Sequence, residues 1–289
     1  MKNRTLKMWQ ADILLLITAM VWGSTFGLVK DALNSASPFM FNLVRFGSAS
    51  LLFLLIFRKQ LSPMSKSTLF AGLFAGFFLV FGYGTQTVGL LYTTASRSAF
   101  ITGLAVVFVP IIIILYKRTW FKPITFIGIL TALIGLRLLT LPGENGESFN
   151  FGDFLTLLCA VSYAANLVCI EIYTRRYSYI QLAFLQLLFT ALSSLPAAFV
   201  LETPRWTMTT TLLWALIVTT IGGTLFAFYI VNRVMRFTSA THAAVIFTME
   251  PVFAAVVAHI FYFERLGTLG IIGGVFILIG MIFTEFERQ

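Results

Sequence analysis

Ten apolar runs of about twenty residues follow one another along the chain, separated by short polar breaks. They lie at 11–29, 38–57, 68–91, 98–116, 124–141, 153–173, 180–201, 211–231, 239–262 and 268–286. A run of that length crosses about 30 Å of hydrocarbon as a helix, which satisfies its own backbone hydrogen bonds where no water reaches. With 58% hydrophobic and only 11% charged residues, the composition is far from that of a soluble domain. The expected fold class is an all-α integral membrane protein of ten transmembrane helices. The longest break, 142–151, is too short to hold an extramembrane domain, so the main partner of the surface is the lipid bilayer.

Lys2, Arg4 and Lys7 precede a first run that lacks a small-residue cleavage site and is too long for a signal-peptide core, so it is expected to stay as the first helix. Cys159 and Cys169 fall ten residues apart in one run, about 15 Å along a helix and beyond disulfide reach, and are read as free thiols. The net charge of +9 would suggest nucleic acid in a soluble protein, but here its distribution among the loops is informative. With the N-terminus in the cytoplasm, fourteen Lys and Arg fall on that side, among them Arg58, Lys66, Lys117, Arg175 and Arg233. Five fall on the other: Lys30, Arg97, Arg137, Arg205 and Arg265. This asymmetry puts both termini in the cytoplasm, leaves Arg45 inside the second run, and gives no support to nucleic-acid binding.

The chain also superimposes on itself. A shift of 141 positions lays Asp12 on Asp153, Trp22 on Tyr163, Gly82 on Gly223, Ser98-Ala99 on Ser239-Ala240 and Pro110 on Pro251. A shift of 145 then lays Gly128 and Gly135 on Gly273 and Gly280. A duplicated unit of about 140 residues follows, 1–141 and 152–289. Each copy holds five runs, an odd number, so the second enters the membrane from the opposite side: two inverted five-helix repeats. The loop after Pro110 carries Lys117, Arg118 and Lys122 without an acid, whereas that after Pro251 reads Phe263-Glu264-Arg265-Leu266, as opposite membrane sides require.

Trp22-Gly23-Ser24-Thr25-Phe26, Arg45, Thr238-Ser239-Ala240, Glu250-Pro251-Val252-Phe253-Ala254-Ala255 and Glu264-Arg265-Leu266 resemble EamA-type members of the drug/metabolite transporter superfamily. Tyr92 to Phe100 and Gly152-Asp153 extend the resemblance over both halves. The resemblance implies ten helices around a central cavity, alternating access and small organic substrates, with exporters of amino acids and related metabolites prominent. The first copy departs from the second in having Val109 before Pro110 where the second has Glu250, and in lacking a counterpart of Glu264.

Glu250 lies eleven residues into the ninth run, about 16 Å along it and near the bilayer midplane, where an ionised carboxylate is costly without a partner. Its candidate roles are proton acceptor in proton-coupled transport or counter-charge for a substrate amine. The alternative is a hydrogen bond to backbone freed by Pro251. Arg45, about 10 Å into the second run, has two readings: attraction of a substrate carboxylate, or snorkelling to the interface and pairing with another helix. Its counterpart in the second copy is Gln186.

Trp22 and Tyr163 hold equivalent places, followed by Ser24 and Thr25 in one copy and Asn166 in the other. Two aromatic rings across a pseudo-twofold axis suit a substrate with an apolar or planar part, with Ser24 and Asn166 at its polar end; helix packing is the competing account. Gly82-Tyr83-Gly84-Thr85-Gln86 and Gly222-Gly223-Thr224 are paired weak points suited to bending or to close helix approach, and Tyr83 and Gln86 are polar groups in need of partners.

His242 and His259 lie 17 residues apart in one run, about 25 Å, too far to share a metal, and His259 is read as interfacial. No phosphate-binding loop, zinc motif, nucleophile elbow or dinucleotide fingerprint is present, so neither a cofactor nor ATP-driven pumping is expected. The expectation is a monomeric transporter in a prokaryotic inner membrane moving a small metabolite outward. An uptake permease, an uncoupled facilitator, a membrane-embedded enzyme using Glu171 near Arg175 and Arg176, and an assembly partner stay open.

Overall fold

A computed structural model of the chain describes residues 6–118, 120, 122–139, 149–262 and 268–285. Lys2, Arg4, most of the 142–151 break, Glu264-Arg265-Leu266, Arg288 and the side chain of His259 lie outside the described residues. The described part is helical, with no β pairing among it beyond one isolated bridge between Ala36 and Trp206.

Three unbroken helices come first: α1 (Met8–Ala32), α2 (Pro38–Phe57) and α3 (Lys66–Gly89). The fourth apolar run forms two helices, α4 (Ala95–Gly103) and α5 (Ala105–Lys117), and α6 is Pro123–Leu139. The second half opens with α7 (Phe151–Thr174) and α8 (Tyr179–Val200). The eighth run contains α9 (Thr210–Ile217), a π-helical segment Val218–Phe226 and α10 (Ala227–Val234). The ninth run, like the fourth, is split, into α11 (Ala240–Phe247) and α12 (Met249–Tyr262), before α13 (Thr268–Glu285).

Among the described residues eight helical stretches are long and apolar enough to cross a bilayer; Pro123–Leu138 and Ile271–Gly280 are shorter apolar helices. The protein is therefore an all-helical, multi-pass membrane protein. Leu55, Ile56, Phe70, Phe199 and Ile271 stand exposed on the outside, as lipid-facing side chains should.

Local chemistry starts the helices where the sequence places hydroxyl or amide groups. Ser65, Thr94, Thr209 and Ser239 each accept from a backbone N–H three residues on, and Asn150 and Asp153 form a reciprocal capping box. In α12, Pro251 occupies the first turn, where its missing N–H has no intrahelical acceptor to lose, which accounts for a helix restarting just before it.

Both ends of the bundle are tied by polar contacts. At one end Glu202 accepts from Ser37 Oγ (2.6 Å) and from the N–H groups of Phe39 and Met40, capping α2, while Arg205 donates to Leu33 O (2.6 Å). Asp153 pairs with Arg97 and accepts from Thr93 at that same end. At the other end Glu171 accepts from Ala240 N (2.8 Å) and pairs with Arg175 (3.1 Å), and Asp12 meets His242 Nε2 at 3.0 Å.

α6 and α13 pack chiefly on each other, antiparallel and through glycine. A Cβ added to Gly135 would lie 2.6 Å from Gly273 O, and one added to Gly280 would lie 2.7 Å from Gly128 O. Backbones approach this closely in membranes when the contact residues are small.

Candidate functional site

The walls of a central cavity come from every helix except α6, α8, α9 and α13. It is lined by Trp22, Thr25, Phe26 and Val29 of α1, Arg45 of α2, and Leu79, Tyr83, Gln86 and Thr87 of α3. Thr102, Gly103 and Ala105 at the α4–α5 break, Tyr163 and Asn166 of α7, Phe228 of α10, Phe247 of α11 and Glu250 of α12 complete the functional part of the lining. The cavity leaves about 90 Å³ for the centres of water-sized molecules, room for several waters or one small organic molecule.

Helical periodicity explains this selection. Trp22, Thr25, Phe26 and Val29 follow the i, i+3, i+4, i+7 pattern of one helix face, as Tyr83 and Gln86, and Tyr163 and Asn166, do at i, i+3. Ser24 is two positions from Trp22, about 200° around the helix, and so cannot share that wall. It lines a different cavity with Gly23, Gly27 and Lys30, and its hydroxyl donates to Val21 O (2.8 Å). The expectation that Ser24 lines the central cavity is therefore corrected.

The aromatic side chains form a continuous wall. Tyr163 stands 5.3 Å from Tyr83, Tyr83 6.3 Å from Phe228, Phe228 6.1 Å from Trp22, and Trp22 5.1 Å from Phe247, between ring centroids. Two glycines place its ends. Gly82 lets the Tyr163 ring lie against α3, since a Cβ there would sit 2.4 Å from Tyr163 Cε1. Across the site, Gly223 O accepts from Trp22 Nε1 at 2.7 Å.

Gly223 belongs to the π segment, whose i→i+5 pattern displaces carbonyls from ordinary helical pairing. Arg45 uses the same place: Nε donates to Thr224 Oγ1 (2.7 Å) and Nη2 to Gly223 O (3.4 Å). Its guanidinium lies 4.9 Å from the centroid of Tyr83 and 5.3 Å from that of Phe46. Arg45 is thus 4% exposed and held inward, not snorkelling to the interface, and Nη1 has no hydrogen bond among the described residues.

Glu250 sits in the first turn of α12, where the N-terminal end of the helix dipole favours a negative charge. It is 7% exposed, and its carboxylate has no hydrogen-bond or ion-pair partner among the described residues. The backbone freed at the break does not take it up. One basic and one acidic side chain, Arg45 and Glu250, therefore line the same cavity without a bond between them.

Gln86 links α3, α4 and α7, accepting from Tyr163 Oη (3.1 Å) and donating to Thr102 Oγ1 (3.3 Å). Asn166 lines the cavity, but its amide nitrogen is committed to Ala75 O and Gln186 Oε1, both at 2.8 Å. Gln186 in turn donates to Asn232 Oδ1 (3.0 Å), so the residue that the sequence offset matches to Arg45 serves a buried amide network. Sequence reasoning passed over Thr102, Gly103, Phe228 and Phe247. The signal for the first two was Thr102-Gly103 within the fourth run, a small pair where a helix can stop. Among the described residues no cluster of His, Cys, Asp or Glu could hold a metal ion.

Comparison with known proteins agrees on the type of molecule. The chain is 37% identical over 273 residues, 94% of its length and 84% of the other's, to a protein of Archaeoglobus fulgidus called an uncharacterized transporter. A solved crystal structure 17% identical in sequence superimposes with a TM-score of 0.80 over 97% of this chain and 98% of that one, a likeness of fold. The model of the EamA-like transporter family matches twice, over residues 9–141 and 150–286. The chain belongs to the EamA-like transporter family and is a multi-pass membrane transporter.

Proposed function

We propose that the protein exports a small zwitterionic metabolite, an amino acid or a close relative, by alternating access through the central cavity. The observation that carries this reading is the pair of buried ionisable side chains, Arg45 and Glu250, in one aromatic-lined cavity without a bond between them. A charge inside a membrane protein is costly unless something answers it. A substrate carboxylate at Arg45 Nη1 and a substrate ammonium at Glu250 would answer both at once. The aromatic wall between Trp22 and Tyr163 suits an apolar or planar side chain. Outward direction rests on the family resemblance, and proton coupling on Glu250 as the one acid of the cavity: protonation replaces the substrate ammonium as its neutralising partner.

The architecture proposed for this cycle is ten helices in two inverted repeats, 1–141 and 152–289, in a monomer with both termini in the cytoplasm of a prokaryote. Reciprocal contacts support it. The offset of 141 converts Trp22 against Gly223 into Tyr163 against Gly82, and the offset of 145 converts Gly135 against Gly273 into Gly280 against Gly128. Asp12 and Asp153, equivalent by the offset of 141, tie opposite ends of the bundle. Two copies arranged in this way rock about a site shared between them.

Counterflow in proteoliposomes tests the reading. Vesicles loaded in turn with neutral, aromatic and thiol amino acids and with organic cations are each challenged with labelled tracer. Saturable exchange of amino acids but not of the corresponding amines or carboxylic acids is the expected result. Exchange confined to organic cations, or silence across the panel with correctly inserted protein, removes the amino-acid reading.

A further inference from the structure

A second cavity lies beside the first, lined by Gly23, Ser24, Phe26, Lys30, Asp31 and Ala254, among others. Two helices, α12 and α4, offset it toward the 33–37 and 90–94 connections. On α1 the two cavities overlap along the helix, the central one meeting Trp22 to Val29 and the second Gly23 to Asp31. On α12 Ala254 and Val257 are four and seven positions beyond Glu250, on the same face and about 6–10 Å further along. On α4 it is lined by Ala95 and Ser96 at the start of the helix, whereas the central cavity meets Thr102 and Gly103 at its end. The two cavities are therefore neighbours across α1, with the second displaced along α4 and α12 toward that end.

Phe26 is the residue that lines both, and it is 6% exposed. Next to it α1 meets α12 closely at a residue without a side chain: a Cβ on Gly23 would sit 2.4 Å from Glu250 O and 3.0 Å from Phe253 Cβ. The partition at this level is a benzyl group and a close helix crossing. The chemistry of the two cavities also matches. The central one carries Arg45 and Glu250, and the second carries Lys30 and Asp31, one charge of each sign, with Lys30 Nζ held by the carbonyls of Thr93 and Leu90.

We propose that the second cavity is a transit site for a small zwitterion, on the path between the central cavity and the end of the bundle bearing the 33–37 and 90–94 connections, and that Phe26 is the gate between the two. This rests on the transport reading for its ligand but not for its gate. The helices that must part for passage are α1 and α12, whose crossing at Gly23 has no α1 side chain to withdraw.

Single cysteines at Ser24, Gln86 and Asn34 test it, with the negatively charged, membrane-impermeant methanethiosulfonate ethylsulfonate as probe. Asn34 is exposed in the 33–37 connection and marks the side; the unsubstituted chain, with Cys159 and Cys169 buried, is the blank. The expected result is that S24C is modified only from the side that modifies N34C, and that this modification abolishes counterflow. Q86C is modified slowly from that side, and at least tenfold faster when combined with F26A or the milder F26L. F26L keeps the test decisive where F26A fails to fold.

S24C that stays unmodified, or modified S24C that transports normally, overturns the transit site. A Q86C rate unchanged by truncating Phe26 in folded protein overturns the gate. Labelling needs no substrate, so the expected labelling pattern together with silent counterflow across the amino-acid panel would refute the zwitterion and leave the gate. Active counterflow without the labelling pattern would refute the gate and leave the transport reading.

Discussion

Glu250 and Arg45 differ in how they are held, and so in what their replacement does. Glu250 is held by nothing but its place in the first turn of α12, so E250Q leaves the packing undisturbed. Its transport rate should no longer depend on pH while insertion is normal; retained pH dependence would exclude Glu250 as the coupling group. Arg45 is fixed through Thr224 and Gly223 with Nη1 to spare. In R45Q the apparent KM for an amino acid should rise about 10- to 100-fold, the loss of a charged hydrogen bond of about 1.5–3 kcal/mol. Inhibition by the corresponding amine, which has no carboxylate, should be unchanged. Glu250 was legible in the sequence because an acid in an apolar run has few structural uses. The binding of Arg45 was not, since its acceptors lie 178 and 179 residues away in a π segment that no spacing rule shows. Ser24 shows the same limit from the other side: its polarity was legible and its direction was not, because direction depends on how α1 is rotated against its neighbours.

Helices behave here as pieces rather than as rods. The apolar pattern located the fourth and ninth runs but not their breaks, because a backbone turn at Leu104 or Thr248 leaves hydropathy unchanged. The repeat offset matched Gly128 with Gly273 and Gly135 with Gly280 as equivalents, whereas the contacts run crosswise, Gly135 on Gly273 and Gly280 on Gly128. At this scale the contacts give a discriminating prediction. G135A and G280A should each lower the melting temperature in detergent, by an overpacking cost of about 1–3 kcal/mol, because the obstacle is a backbone carbonyl that cannot swing aside. G274A should be close to neutral, since a Cβ there meets nothing nearer than Val252 at 3.8 Å. Equal melting temperatures for all three would mean that α6 and α13 do not pack as described. W22F, which removes the donor to Gly223 O, should cost about 1 kcal/mol and loosen the π segment against α1.

At the scale of the whole molecule, the class of protein was fully legible from the length and spacing of the apolar runs, while the helices that enclose the cavity were not, since any of several bundle orders buries the same runs. The charge asymmetry of the loops makes a prediction that belongs to this scale. Reporter fusions that fluoresce only in the cytoplasm should light up at both ends of the chain and stay dark in the 33–37 and 201–209 connections; opposite signals at the two ends would require an odd number of crossings. The α6–α13 contact has a consequence for how such a molecule is made. The glycine face of α6 finds its partner in a helix that leaves the ribosome only after the rest of the second half. During synthesis α6 therefore waits in the bilayer with its small-residue stripe turned to lipid or to a provisional neighbour. Completion of the bundle is then an event of long sequence separation, slow compared with insertion of the individual helices. A chain stopped before α13 would insert yet be a preferred target of membrane proteolysis, so the interval between insertion and protection from protease, followed as the chain grows, would time the docking of α13.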